Sequence, residues 1–358
     1  MKFNEVDTNL IKNRMAAFWE HELYDAPLIA FTPMQKIAPT TPHHETPSDA
    51  SYDELLARYS NTETILENAE QGIKNATYYG DTLPNYFPNF GAAGHAAYFG
   101  CRFRLKSNSI WFETMDFDPE TDKLQFDKNS PVLLAQEKLF KLASKKAQGY
   151  TIGMPDNCGS LDALAHIRGT QELLMDLLLH PEFVKTSTMK IVDALTYSGD
   201  IFFEHSLNSE FGGSCNSWFN LWSPKRFMQL QCDFSTMISP EQFAEFVMPE
   251  LEATIDWLDH SIYHLDGEEQ IRHLDMLLSI EKLHGIQWTP VAGQPKTTHF
   301  IEVLKKIQAA GKSLVLMPEA NEMQTIMDNL RPEGVRVMLQ HCALDEGLDV
   351  IKHAKNWR

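Results

Sequence analysis

SIYHLDG, residues 261–267, reads as a short buried strand that ends on polar side chains. Ser261, Ile262 and Tyr263 suit an extended backbone, and Gly267 stops it. His264 and Asp266 are two apart, so on a strand they share one face. A helix-like run, IRHLDMLLSI at 271–280, follows. Strand, polar side chains, helix is a βα unit, and in barrel enzymes the carboxyl end of such a strand carries the chemistry. Three later segments repeat the plan: GIQWTPVAGQP at 285–295, KSLVLMPEA at 312–320 and VRVMLQHCALDE at 335–346. The repetition predicts that Trp288, Gln294, Glu319, His341 and Cys342 gather near His264 and Asp266.

About eight strand-like segments, mostly separated by helices, predict a single (β/α)8 barrel domain over 1–358. Its N-terminal extension is helical, and segments within 1–100 are expected to cover the pocket. A doubly wound open sheet is the structural alternative. Neither GxGxxG nor GxxxxGK[ST] occurs, so no dinucleotide or nucleoside triphosphate site is signalled.

The composition narrows the function. A net charge of −18 disfavours nucleic acid and anionic membranes as partners, since both need clustered Lys and Arg. No apolar run approaches the ~20 residues of a membrane span. The first residues, MKFNEVDTNLIKNRM, lack the apolar core of a signal peptide. Five widely spaced cysteines argue against a disulfide framework and fit a reducing, cytoplasmic setting.

In chain order, 7–24 predicts an amphipathic helix and Leu28–Phe31 a first buried strand. Residues 33–50 form a loop long enough for a lid or a homodimer contact. Residues 51–73 predict a helix capped by Ser51 with Glu54. The aromatic and Gly-rich run 78–100 is either packed loop or a wall over a pocket, carrying Tyr86, Asn89 and His95. IWFETMDF at 110–117 predicts a strand with Trp111 and Glu113 on one face. A strand, a polar turn with Asp156 and Asn157, and a helix from Ser160 come next, in a helical region over 161–208 broken near His180. Ser239, Pro240 and Gln242 start a helix over 240–260.

Residues 231–267, QCDFSTMISPEQFAEFVMPELEATIDWLDHSIYHLDG, resemble the uroporphyrinogen decarboxylase superfamily. So do 153–178, GMPDNCGSLDALAHIRGTQELLMDLL, then IQWTPVAGQP at 286–295 and RMAAFWEHELYDAPLIAFT at 14–32. The nearest likeness is to a branch of trimethylamine corrinoid proteins and uroporphyrinogen-decarboxylase-like proteins. The resemblance implies a barrel with its site in the mouth. It also implies kinship with zinc-dependent methyltransferases that move methyl from a corrinoid protein to a thiol. Those enzymes carry His-x-Cys at one strand end and a Cys at a later one. Here His264 stands at the His, Asp266 at the first Cys and Cys342 at the later Cys. The arginine-rich N-terminal stretch of the porphyrinogen decarboxylases is missing, since 27–50 contain no Arg.

These readings give one set of expectations. His264, Asp266 and Cys342 form a zinc site, all three being zinc-competent; the plain alternative is a hydrogen-bonded His–Asp pair and a buried thiol. Glu319 or Asp233 handles the proton. Trp111, Glu113, Asp156, Asn157, Trp218, Trp222, Trp288 and Gln294 line the substrate pocket. Asp162 serves the first turn of its own helix, and Trp218 and Trp222 are otherwise core. The resemblance implies methyl transfer between a corrinoid on a partner protein and a small acceptor. The alternatives are a decarboxylase or other lyase acting on a small polar or carbohydrate-like molecule, and a barrel that binds without catalysis.

Overall fold

A computed structural model describes residues 1–33, 51–106 and 109–357. Past Pro33, the expected lid or subunit contact at 33–50 lies outside the described residues. Six strands form one parallel sheet: Leu28–Phe31, Val335–Leu339, Ser313–Leu316, Gly285–Thr289, His260–Asp266 and Phe227–Gln231, in that spatial order. From 227 onward each strand therefore lies beside the next in sequence, and the first strand of the chain pairs with the last. Past strand Phe227–Gln231 lies the hairpin Ser214–Asn216/Leu221–Ser223, bonded to it by Phe227 N to Ser214 Oγ at 2.9 Å. Cys215 bridges in parallel to Gly153, beside the parallel pair Thr151–Ile152 and Asn85–Tyr86. At the opposite edge Ala30 bridges to Gly80.

Each strand alternates between two apolar environments, as the two-residue period demands. Ile29, Met228, Leu230, Tyr263, Leu265, Ile286, Leu314, Leu316 and Val337 pack among the helices. Leu28, Phe227, Ile262 and Val315 join a second cluster, closed off by Ile11, Met15, Phe18 and Trp19 of helix Thr8–Trp19. The same alternation sends Gln229, Gln231, His264, Asp266, Gln287 and Thr289 to this second face.

Several elements differ from the sequence expectation, each for a local reason. Helix 51–73 is two helices, Tyr52–Tyr59 and Thr62–Asn75, because Ser60 ends the first and Asn61 starts the next; the Ser51–Glu54 capping box is present. The region 161–208 breaks at Gly169 as well as at His180, giving Ser160–Arg168, Thr170–Leu179 and Pro181–Leu207. Gly169 has φ +99, which glycine adopts without strain. Residues 109–112 pair antiparallel with 103–106 as a separate hairpin instead of joining the main sheet. Helix Met248–Trp257 is preceded by a π segment, Phe243–Val247, where Pro249 removes a backbone donor. No helix among the described residues is long and apolar enough to cross a membrane.

Candidate functional site

Register sets the site. Gln231, His264 and Gln287 are Cα partners in one row, and Asp266 and Thr289 form the next row up. Gly267, with φ +87, then turns the chain away directly after Asp266. Asp233 sits two residues beyond Gln231, in the 3-10 turn Asp233–Met237. Among the described residues, Asp233, His264 and Asp266 are the group that could hold one metal ion, with ligand atoms all within 4.8 Å of one another.

The orientation of His264 follows from its neighbours. Gln287 donates its amide to Thr289 Oγ1, so its carbonyl oxygen faces His264 Nδ1. An acceptor there places the proton on Nδ1 and leaves the Nε2 lone pair free. Nε2 faces Asp266 Oδ2 at 4.0 Å. That is too long for a hydrogen bond, and it is somewhat wider than the roughly 3.4 Å between two tetrahedral ligands bonded at about 2.1 Å, so the pair would close slightly on an ion. Trp218 walls the imidazole edge-on, with ring centres 5.0 Å apart.

A directed amide chain supports the second side. Asn216 Nδ2 donates to Gln229 Oε1 at 2.5 Å, and Gln229 Nε2 to Gln231 Oε1 at 2.6 Å. Gln231 Nε2 donates onward to Asp233 Oδ2 at 3.3 Å. Gln229 Nε2 also donates to Asp156 Oδ1 at 2.9 Å. Burial pushes the Asp156 carboxyl up, against the pull of His264 and of the Gln229 bond. Asp233 is open to solvent on one side and crowded on the other; that crowding pushes its carboxyl up, with His264 opposing and Asp266 reinforcing. Asp162 is pushed up to about 7, by burial first and then by Asp233.

Other expected residues are elsewhere. Trp288 is fully buried against Phe300 on the helix-facing side, because alternation turns it opposite to Gln287. Trp222 is core on the inner face, its Nε1 donating to Gly212 O at 2.9 Å. Trp111 belongs to the outlying hairpin of 103–106 and 109–112 and is exposed, and Glu113, just past it, is ion-paired with Arg104. Gln294 is half-buried and ties its loop to Glu268 N at 3.1 Å and to Glu269 at 2.9 Å. Glu319 pairs with Lys296 at 2.5 Å and starts the short turn Ala320–Glu322. Asn157 lies under the site loop, bridged to Ala93. Cys342 is buried in the turn before helix Leu344–Ala354, its thiol pushed up by burial, and it is not in the metal-competent group. Asp233 is the third member of that group.

The glutamines were not foreseen. The available signal was FMQLQ and GIQWT, in which glutamine falls at the inward positions of otherwise apolar strands.

No family model and no curated protein matches this sequence. Among solved structures, a methyltransferase from Methanosarcina mazei superposes with a TM-score of 0.58 at 13% identity. The match covers 97% of this chain and 98% of that one, so the two share a fold over nearly their whole length.

Proposed function

We propose that the chain is a metal-dependent methyltransferase on a (β/α)8 barrel of the uroporphyrinogen decarboxylase type. It passes methyl between a corrinoid held by a partner protein and a small acceptor. The observation that carries this reading is the convergence of Asp233, His264 and Asp266 at adjacent strand ends, in a chain that shares its fold with a methyltransferase. The donors fit a divalent ion: an imidazole with its lone pair turned inward and two carboxylates with no Lys or Arg bonded to them among the described residues. Zinc suits this set, and bound zinc supplies Lewis-acid activation of an acceptor. With no thiolate, the set is harder than a Cys-containing one and suits an oxygen or nitrogen acceptor as well as a thiol.

The remaining roles belong to the chain itself. Asp156, its carboxyl raised by burial and fixed by Gln229, is placed to take the acceptor's proton. Trp218 gives the pocket an apolar wall beside His264. The test is metal analysis of the purified protein, followed by the methylcobalamin spectrum with thiol, amine and alcohol acceptors. One zinc per chain with acceptor-dependent demethylation is expected. Bound zinc with an unchanged spectrum across the panel would refute methyl transfer and favour a metal-assisted lyase.

A further inference from the structure

Asp162 is the third residue of helix Ser160–Arg168. A carboxylate there ordinarily serves its own helix N-terminus. In this chain Glu250, from helix Met248–Trp257, shares that role across the interface. Its carboxylate accepts from Ser160 N at 2.6 Å and Leu161 N at 3.5 Å. Asp162 keeps a backbone bond to Gly159 at the start of its own helix, and both oxygens also reach the neighbouring βα unit: Oδ2 accepts from Asp233 N at 2.9 Å and Oδ1 from Phe234 N at 2.8 Å. These amides flank the Cα of Asp233. Held together, they fix the backbone from which that side chain leaves. Asp162 is 7% exposed, and burying a carboxylate is unfavourable unless its oxygens are satisfied. The contact is thus a built clamp joining units more than seventy residues apart. Close packing leaves little play: a Cβ on Gly159 would lie 2.2 Å from the Gln231 carbonyl oxygen, so the Asp162 helix presses directly on the strand that leads to Asp233.

We propose that Asp162 is a positioning residue for the metal site, setting Asp233 toward His264 and Asp266. This rests on the metal reading above, so the experiment has a metal-free arm. Asp162→Ala, Asp162→Asn and a control, Asp176→Asn, are compared. Asp176 pairs with Arg168 at the far end of the same helix, so its loss weakens the helix without touching the turn. In metal-free protein, hydrogen exchange at the 233 and 234 amides should accelerate in Asp162→Ala and not in Asp176→Asn. Zinc affinity should fall roughly 10–100-fold in Asp162→Ala, as for other groups that orient a metal ligand. Asp162→Asn keeps one acceptor oxygen and should lie between. Unchanged exchange at 233 and 234 in Asp162→Ala would overturn the clamp, whatever the metal result. Equal loss of affinity in Asp176→Asn at equal loss of melting temperature would reduce Asp162 to a folding residue. Accelerated exchange in a protein whose wild type takes up no zinc would sink the metal reading and, with it, this role.

Discussion

Gln287→Leu is the sharpest test of the site, because Gln287 touches the candidate metal only through His264. Gln287 is fully buried, and leucine has nearly its volume, so packing changes little. What is lost is the acceptor for His264 Nδ1 and the donor to Thr289. The imidazole then has two choices. It can keep the proton on Nδ1, buried and unpaired, at about 1–3 kcal/mol. Or it can move the proton to Nε2, the atom that faces Asp266 and that a metal needs. Either way metal binding weakens, by roughly 10–100-fold or about 1.4–2.7 kcal/mol. Gln287→Glu should behave differently. Its carboxylate still accepts from Nδ1, and Thr289 can turn its hydroxyl to donate, so affinity should be kept or increased. The assay is a competition titration of zinc against a chelator at fixed pH, with melting curves of the metal-free proteins. If Gln287→Leu binds zinc like wild type, or if Gln287→Glu falls as far as Gln287→Leu, then Gln287 does not set the imidazole and the ligand assignment of His264 fails.

Three other outcomes follow from the same geometry. His264→Ala should lose zinc while keeping the wild-type circular dichroism spectrum; full occupancy on metal analysis would remove His264 from the ligand set. Cys342 stands outside the group, so its iodoacetamide labelling should be the same with and without a chelator, and a rise on chelation would restore the thiol as a ligand. Burial raises the Glu250 carboxyl to about 8 from its ordinary 4.5. An acid raised by folding stabilises fully below 4.5 and loses that contribution as pH rises toward 8. At ~1.4 kcal/mol per pH unit the loss is at most ~5 kcal/mol. Chemical denaturation from pH 5 to 8 should show it, and Glu250→Gln should flatten the profile; an unchanged slope would show that the carboxyl ionises freely in the fold.

The periodic parts of the chain were legible in the sequence. SIYHLD lies in the strand His260–Asp266 with His264 and Asp266 on one face, because alternation leaves no other choice once Ile262 is inside. Where the period ends, the sequence does not fix where a side chain points. Glu319 and Cys342 lie just past their strands, in loops where backbone direction follows local hydrogen bonds such as Gln340 N to Pro318 O at 2.9 Å. Trp288 was misplaced because size and aromaticity suggested a pocket wall, whereas its register next to Gln287 sends it outward. The pairing of 109–112 with 103–106 could not be read either, since a short apolar run does not name its partner. Asp162 does serve the start of its own helix through Gly159, but its bonds to the amides of 233 and 234 join positions some seventy residues apart and could not be read.

One feature joins the parts of the site. Three of the four side chains of the proposed site are each held by a glutamine: Asp156 by Gln229, Asp233 by Gln231 and His264 by Gln287. All three glutamines come from inward strand positions and are nearly or fully buried. An amide suits this task because one group both donates to a carboxylate and accepts from an imidazole, without bringing a charge into the interior. Arginine or lysine there would also bind the carboxylates, but would neutralise them and hold them away from a cation. Asp156, Asp162, Asp233 and Asp266 crowd together, and burial first, then this crowding, pushes the carboxyls of Asp156, Asp162 and Asp233 up. A divalent ion at His264 would supply the missing counter-charge to carboxylates already oriented to receive it. The glutamines therefore orient these side chains without adding charge, which is the condition the proposed metal site needs.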